Sequence, residues 1–258
     1  MKVVILAGGR GTRLSEETGI RPKPMVEIGG KPVLWHIMKI YSTQGFNEFV
    51  ICLGYKGYQI KEYFINYFTH NSDLTVDLAT NKVELHHCTS EPWHVTLVDT
   101  GESTETGGRL TRIQKYVSNE PFFMTYGDGL ADFDLDSLLN RHHLNPNAVA
   151  TVTAVQPLGR FGSMTTEPSG QVATFVEKPQ GDGSWINGGF FVLEPPIFDY
   201  IQDDTEQFER QPLGRLTRDG GLFAYHHTGF WHPMDTLRDK EILNRLWTEK
   251  KAPWKIWE

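Results

Sequence analysis

Cysteine is scarce: the 258 residues hold two, Cys52 and Cys88, too few for a disulfide framework. Cys52 lies in an apolar run, residues 49–53, and reads as a small core residue rather than a reactive thiol. Long apolar runs are missing as well, and no stretch approaches a membrane span. The opening Met1-Lys2-Val3-Val4-Ile5-Leu6-Ala7 is too short for the apolar part of a secretory leader, so a cytoplasmic location is expected. An excess of basic residues is also absent. The formal net charge is −7, which argues against a chain that coats nucleic acid or an anionic membrane. No low-complexity linker and no internal repeat interrupts the sequence.

What is present is globular material, with 15 Phe, 9 Tyr and 7 Trp to fill a core. Short β-type runs alternate with helical patterns through the first half, as in a parallel α/β sheet. Residues 3–6 read as a buried strand, and 33–43 as a helix with Val33, Leu34, Ile37, Met38 and Tyr41 near one face. Residues 49–53 supply the second strand. The next helix has the clearest period, with Ile60, Tyr63, Phe64, Tyr67 and Phe68 on one stripe, and that stripe reads as core. Residues 74–79 and 83–87 flank Thr80-Asn81-Lys82 as a hairpin. A strand at 95–98, a helix near 108–117 and a strand at 122–125 resume the α/β rhythm. From about 148 the chain turns β-rich, with runs at 149–155, 172–177, 187–193 and 222–226. A last helix at roughly 235–249 carries Leu237, Ile242, Leu243, Leu246 and Trp247. One doubly wound α/β domain with a mixed sheet is expected over 1–258, its second half adding antiparallel strands.

The segment richest in chemistry is Leu6-Ala7-Gly8-Gly9-Arg10-Gly11-Thr12-Arg13-Leu14, directly after the first strand. Ligands in open α/β sheets bind beyond the carboxyl ends of strands. Glycines let the backbone approach a bulky anion, and successive N–H groups form a concavity for it. Arg13 adds a permanent charge and a planar fork of donors for phosphate oxygens. No lysine stands where a Walker A loop requires one, and the sixth position counted from Gly9 is Leu14, not the glycine of the dinucleotide fingerprint. A plain tight turn is the competing reading. Further on comes Arg21-Pro22-Lys23-Pro24-Met25. The flanking prolines are expected to hold Lys23 extended, so that its ammonium loses little freedom on meeting a phosphate.

Gly8-Gly9-x-Gly11-Thr12-Arg13-Leu14 followed by Pro22-Lys23-Pro24-Met25 resembles the signature of the sugar-phosphate nucleotidyltransferase, or nucleotide-sugar pyrophosphorylase, family. The likeness continues along essentially the whole chain, through Gly54-Tyr55-Lys56-Gly57-Tyr58, Glu91-Pro92-Trp93, Tyr126-Gly127-Asp128-Gly129 and the terminal Ala252-Pro253-Trp254-Lys255. The fold this implies is Rossmann-like, of the nucleotide-diphospho-sugar transferase type. Its nucleotide-binding half would run to about 147 and its sugar-binding part over about 148–258.

The resemblance implies transfer of a nucleotidyl group to a sugar 1-phosphate with loss of pyrophosphate. The attacking phosphate oxygen is already an anion at neutral pH, so no general base is needed. The site must cancel charge and align reactants. Arg13 and Lys23 take the catalytic roles, and Asp128 and Asp235 hold Mg2+. By their position alone, Asp128 could be a turn residue and Asp235 a helix cap. Asp132 and Asp134 read as helix-start residues. The implied nucleotide site takes in Leu6, Ala7, Gly8, Gly9, Gly11, Thr12, Arg13, Lys23, Thr100, Thr106, Gly107, Arg109 and Gly127. Arg109 could instead cap its helix. Glu177, Lys178 and Asn187 are expected at the sugar phosphate.

Thymidylyl and uridylyl members tend to carry Pro-Leu-Thr after the Arg-Leu of the loop. Here Ser15-Glu16-Glu17-Thr18 follows, which favours cytidine, and the chain as a whole resembles a branch using CTP and glucose 1-phosphate. The same chemistry with dTTP or UTP, a silent nucleotide-sugar-binding subunit and a glycosyltransferase remain alternatives. The silent subunit would not need Arg13, Lys23, Asp128 and Asp235 together. The adjacent histidine pairs 86–87, 142–143 and 226–227 are set aside as metal ligands, since neighbours on a strand face opposite ways. Relatives form homo-oligomers, so self-association is expected. The tail with Trp247, Trp254 and Trp257 could supply an interface or fold back on the core.

Overall fold

The structure, a computed structural model, describes residues 1–88, 90–117, 119–157, 162–177 and 184–257, with the Cys88 side chain outside that description. All four residues of Val3–Leu6 are buried, because a central parallel strand is covered on both faces. It lies between Glu48–Leu53 and Phe122–Tyr126 and runs parallel to each. Across the main sheet the spatial order is Leu222–His227, Ala150–Val155, Ile186–Leu193, Phe122–Tyr126, Val3–Leu6, Glu48–Leu53 and His94–Asp99. Ile186–Leu193 is antiparallel to both of its neighbours; the other pairings are parallel. The sheet is therefore mixed, and strands from the second half of the chain extend it on one side.

Successive side chains on a strand point to opposite faces, which sorts the core into two layers. Val3 and Ile5 pack with Ile37, Tyr41, Phe123, Phe190 and Trp254. Val4 and Leu6 pack with Leu110, Ile113, Phe122, Phe191 and Leu216. The helix Val33–Thr43 covers the first face and Thr106–Val117 the second. Cys52 is buried in the second layer, as its apolar neighbours imply.

Two expectations need correction. The stripe from Ile60 to Phe68 belongs to two helices, Gly57–Ile65 and Tyr67–His70, interrupted at Asn66. The Asn66 amide donates to the Glu62 carbonyl at 2.9 Å, a local bond that competes with helix continuation. Ile60 is fully buried, but Phe68 is 43% exposed. Asp134 does start a helix, its carboxylate accepting the Asp136 N–H at 3.0 Å ahead of Leu135–His143. Asp132 does not: its Oδ1 accepts the Phe230 N–H at 2.8 Å and ties down a distant loop. The helix Gln211–Arg218 and the strand Ser163–Thr166 are structural findings without a counterpart in the sequence reading. The hairpin forms as expected from Ser72–Asp77 and Lys82–Cys88. Among the described residues no helix is long and apolar enough to cross a membrane.

Candidate active site

Register brings the candidate segments to one sheet edge. Leu6 pairs with Cys52 on one side and Tyr126 on the other, and Leu53 pairs with Asp99. The chain therefore leaves four parallel strands side by side, at the glycine loop, Gly54, Thr100 and Gly127. Ile186–Leu193 runs the other way, so its beginning reaches this edge. Phe190 pairs with Thr125, and Asn187 lies beyond it. In an open α/β sheet this is the ligand-binding edge.

Arg109 explains the glycines around it. It is 4% exposed, and its guanidinium donates to the carbonyls of Leu53 (3.0 Å), Gly101 (2.8 Å) and Gly8 (3.2 Å) and to Thr100 Oγ1 (2.8 Å). A Cβ on Gly8 would stand 2.1 Å from Arg109 Nη1, and one on Gly54 2.6 Å from it. The structure thus places Arg109 beneath the glycine loop as a brace, with its donors on backbone oxygens. Burial lowers its pKa, against the opposing influence of Cys52 and Glu105. Thr100 is fully buried and donates to the Leu53 carbonyl at 2.7 Å. Gly107 lets its helix lie close to the chain at Glu206, whose carbonyl accepts the Gly107 N–H at 2.9 Å. Gly127 donates to the Leu6 carbonyl at 3.1 Å, closing the loop base. Above this brace Gly9, Thr12 and Arg13 are exposed, while Gly11 turns the chain with φ +61°.

Lys23 departs from the extended conformation expected of it. Pro22 is extended, but Lys23–Met25 form a 3-10 turn closed by the Met25 N–H on the Pro22 carbonyl at 2.8 Å. Pro24 falls in the first turn, where its missing N–H is not needed. The turn buries Lys23 to 9% exposure. Its Nζ donates to Asp128 Oδ2 and Asp235 Oδ1, both at 2.6 Å. Burial alone would lower the Lys23 pKa; the two carboxylates more than offset it, and the pKa is raised.

Asp128 and Asp235 meet because Gly129–Ala131 pairs with Trp231–Pro233 and the Met234 N–H donates to the Asp128 carbonyl at 2.9 Å. Asp235 is not the helix cap. Thr236 takes that role in a capping box with Asp239, leaving the Asp235 carboxylate to face Lys23 and to accept from Arg13 Nη1 at 2.7 Å. Among the described residues no group of three or more His, Cys, Asp or Glu gathers around one point. Two carboxylates already converging on a cation nevertheless fit magnesium, which takes one or two carboxylates and completes its shell with phosphate oxygen and water.

Of the sugar-phosphate candidates, Asn187 starts the antiparallel strand at the shared edge. Glu177 directly follows the strand Val172–Val176. Lys178 lies outside the described residues. Sequence reasoning missed two acids. Glu102 pairs with Arg10 at 2.9 Å across the loop. Glu209 accepts from Tyr126 Oη at 2.5 Å and Thr106 Oγ1 at 2.7 Å. Neither sits in a local motif, and only the folded chain brings them to the edge.

Residues 2–217 match the family model described as nucleotidyl transferase. A glucose-1-phosphate cytidylyltransferase of Salmonella typhi is 58% identical, with all of both chains covered. Mannose-1-phosphate guanylyltransferase 1 of Arabidopsis thaliana is 30% identical over 99% of this chain and 68% of its own. Among solved structures, HddC from Yersinia pseudotuberculosis complexed with GMP-PN has a TM-score of 0.68 at 26% identity, covering 95% of this chain and 99% of that one. Likeness of sequence over the full length and likeness of fold agree, and this chain belongs to the nucleotidyl transferase family, in the branch of the glucose-1-phosphate cytidylyltransferases.

Proposed function

We propose that the chain transfers the cytidylyl group of CTP to α-D-glucose 1-phosphate, giving CDP-glucose and pyrophosphate. The observation that carries the chemistry is the buried Lys23 ammonium held at 2.6 Å by both Asp128 and Asp235 beside the glycine loop. Nucleotide phosphates lie over the loop at residues 8–12, with Leu6, Ala7 and Gly127 at its base. Arg13, 72% exposed in its side chain, swings from Asp235 to the departing pyrophosphate portion. Thr106 and Gly107 face the base side, and Thr100 and Arg109 serve it by fixing the loop. Asp128 and Asp235 would hold magnesium, which when bound supplies Lewis-acid stabilisation of charge at the α-phosphate. Glu177, Lys178 and Asn187 hold the sugar phosphate. One of its oxygens attacks the α-phosphorus, the bond to the pyrophosphate oxygen breaks, and Lys23 offsets the charge carried in by the attacking group.

The choice of CTP and glucose 1-phosphate is supported by the named activity of the Salmonella typhi relative. A working place in the cytoplasm, where nucleotides are made, follows from those substrates. A second copy of the chain is the expected partner, because the hairpin described above exposes Leu74, Val76, Val83 and Leu85.

Pyrophosphate release is measured with glucose 1-phosphate, magnesium and each of CTP, dTTP, UTP, ATP and GTP. Release fastest with CTP is the expected result. Release fastest with another nucleotide discards the base assignment and keeps the chemistry. No release with any of them overturns the reading.

A further inference from the structure

The turn Gly54-Tyr55-Lys56 joins the strand Glu48–Leu53 to the helix Gly57–Ile65 and touches the glycine loop at both of its ends. At the start of the loop the Tyr55 N–H donates to the Gly8 carbonyl at 3.1 Å, beside the donor from Arg109. Past its end stands the four-residue helix Ser15–Thr18, too short to persist without tertiary contacts. The last carbonyls of a helix have no partner within it. Here side chains supply the partners. Tyr55 Oη donates to the Thr18 carbonyl at 3.1 Å, Lys56 Nζ to the Gly19 carbonyl, and Gln59 Nε2 to the Ile20 carbonyl at 3.0 Å.

Thr18 carries this grip back into the loop. It is 4% exposed, and its hydroxyl shares one proton between the carbonyls of Leu14 at 3.0 Å and Gly11 at 3.1 Å. Gly11 is wedged at the same point: a Cβ there would stand 2.9 Å from Thr18 Cγ2 and 3.0 Å from Lys23 Cβ. A trans peptide unit is planar, so its C=O and N–H aim in opposite directions. Donors on the Gly8 and Gly11 carbonyls therefore turn the Gly9 and Thr12 N–H groups away from the turn and the helix. Among the described residues no protein acceptor takes either N–H.

Lys56 makes its contact from a backbone conformation that favours glycine, with φ +49°. Such strain persists where the surroundings hold it in place, and here the Lys56 ammonium on Gly19 does so. The geometry points to Tyr55 and Lys56 as positioning residues for the nucleotide. They hold Gly8 directly and Gly11 through Thr18, so the Gly9 and Thr12 N–H groups are aimed at the phosphates before CTP arrives. This rests on the proposed function, and specifically on the phosphates lying over the loop.

Lys56→Gly suits the backbone and removes the ammonium, so its melting temperature should stay within about 4 °C of the wild type. Its KM for CTP should rise about tenfold, while that for glucose 1-phosphate stays within about twofold. Lys56→Arg keeps a donor of similar reach and should hold the CTP KM within about twofold of the wild type. Tyr55→Phe keeps the ring and the N–H on Gly8, and should raise the CTP KM about threefold. An unchanged CTP KM in Lys56→Gly, or an equal rise in both KM values, overturns the inference and leaves the turn a plain support of the fold. Lys56→Arg as impaired as Lys56→Gly overturns the part given to the ammonium, and an unchanged Tyr55→Phe overturns the part given to the phenol. Calorimetric titration with CTP separates this from the proposed function. A wild type that binds CTP but releases no pyrophosphate overturns the function, and the positioning role is then read as an affinity about tenfold weaker in Lys56→Gly. A wild type that binds no CTP overturns both.

Discussion

Lys23 concentrates the electrostatics of the site in one atom. A buried ammonium is costly unless paired, and this one is paired twice, at 2.6 Å on each side. Its raised pKa keeps it charged at neutral pH. Replacing it by Met leaves Asp128 and Asp235 facing one another without a cation between them and removes the charge that the proposed mechanism sets opposite the attacking phosphate. The expected loss in kcat is at least about 100-fold, measured as pyrophosphate release, with the fold retained by circular dichroism. The linkage has a definite sign. A lysine whose folded pKa lies above 10.5 contributes stability that is complete below that pH and is lost as pH rises through the folded value. Wild-type melting temperature should therefore fall more steeply than that of Lys23→Met above about pH 10.5. Parallel curves would remove Lys23 from the account of alkaline stability. Lys23, Asp128 and Asp235 were singled out in the sequence through the family resemblance of the short motifs around them, and the structure brings the three side chains together. Arg109 was read as a nucleotide-site residue or a helix cap, and the structure instead sets its donors on the oxygens of Leu53, Gly101, Gly8 and Thr100. Its use as a brace depends on Gly8, Gly54 and Gly101 being close in space, which no local pattern encodes.

At the scale of elements, the last helix shows how a cap serves a site. Thr236 accepts the Asp239 N–H at 3.2 Å, and the Asp239 carboxylate accepts the Thr236 N–H at 2.8 Å. The same carboxylate accepts the Asp235 N–H at 3.2 Å, so the cap also orients the backbone of Asp235. Thr236→Ala should cost about 1 kcal/mol in urea unfolding. It should also lower kcat several-fold, because Asp235 loses its anchored neighbour. A loss of stability with unchanged kcat would show that Asp235 is held by Lys23 and Arg13 alone. Elements of this kind were the readable part of the chain. The strands at 3–6, 49–53 and 122–125 lie within a residue of Val3–Leu6, Glu48–Leu53 and Phe122–Tyr126, because unbroken apolar runs bounded by glycine admit few alternatives. The stripe from Ile60 to Phe68 misled for a physical reason. Periodicity reports that one face is apolar, not that anything covers it, and Phe68 lies exposed beyond the interruption at Asn66.

At the scale of the whole molecule the question is which apolar surface the chain leaves for another copy. The aromatic tail had two readings, interface or core, and the structure decides for core: Trp254 is fully buried against His36, Phe230 and Trp247. One apolar surface left outside among the described residues is the hairpin Ser72–Asp77 with Lys82–Cys88. Its cross-strand pairs sort by chemistry, Leu74 with Leu85 and Val76 with Val83 on one face, Thr75 with Glu84 on the other. The apolar face is open, with Val76 47% and Val83 55% exposed, and Leu78 at the tip is 85% exposed. A two-stranded ribbon is marginal by itself in water, and an uncovered apolar face invites association. Packing on a second copy would satisfy both needs. Val76→Lys with Val83→Glu keeps a favourable cross-strand pair while making the face polar. In sedimentation the wild type is expected to run as an oligomer and the double variant as a monomer, with the circular dichroism of the two alike. The glycine loop, Lys23 and both aspartates lie on the main sheet edge, so the monomer should still bind CTP in calorimetric titration. A wild type that sediments as a monomer would leave the hairpin without its assigned partner, and a double variant that stays oligomeric would move the interface elsewhere.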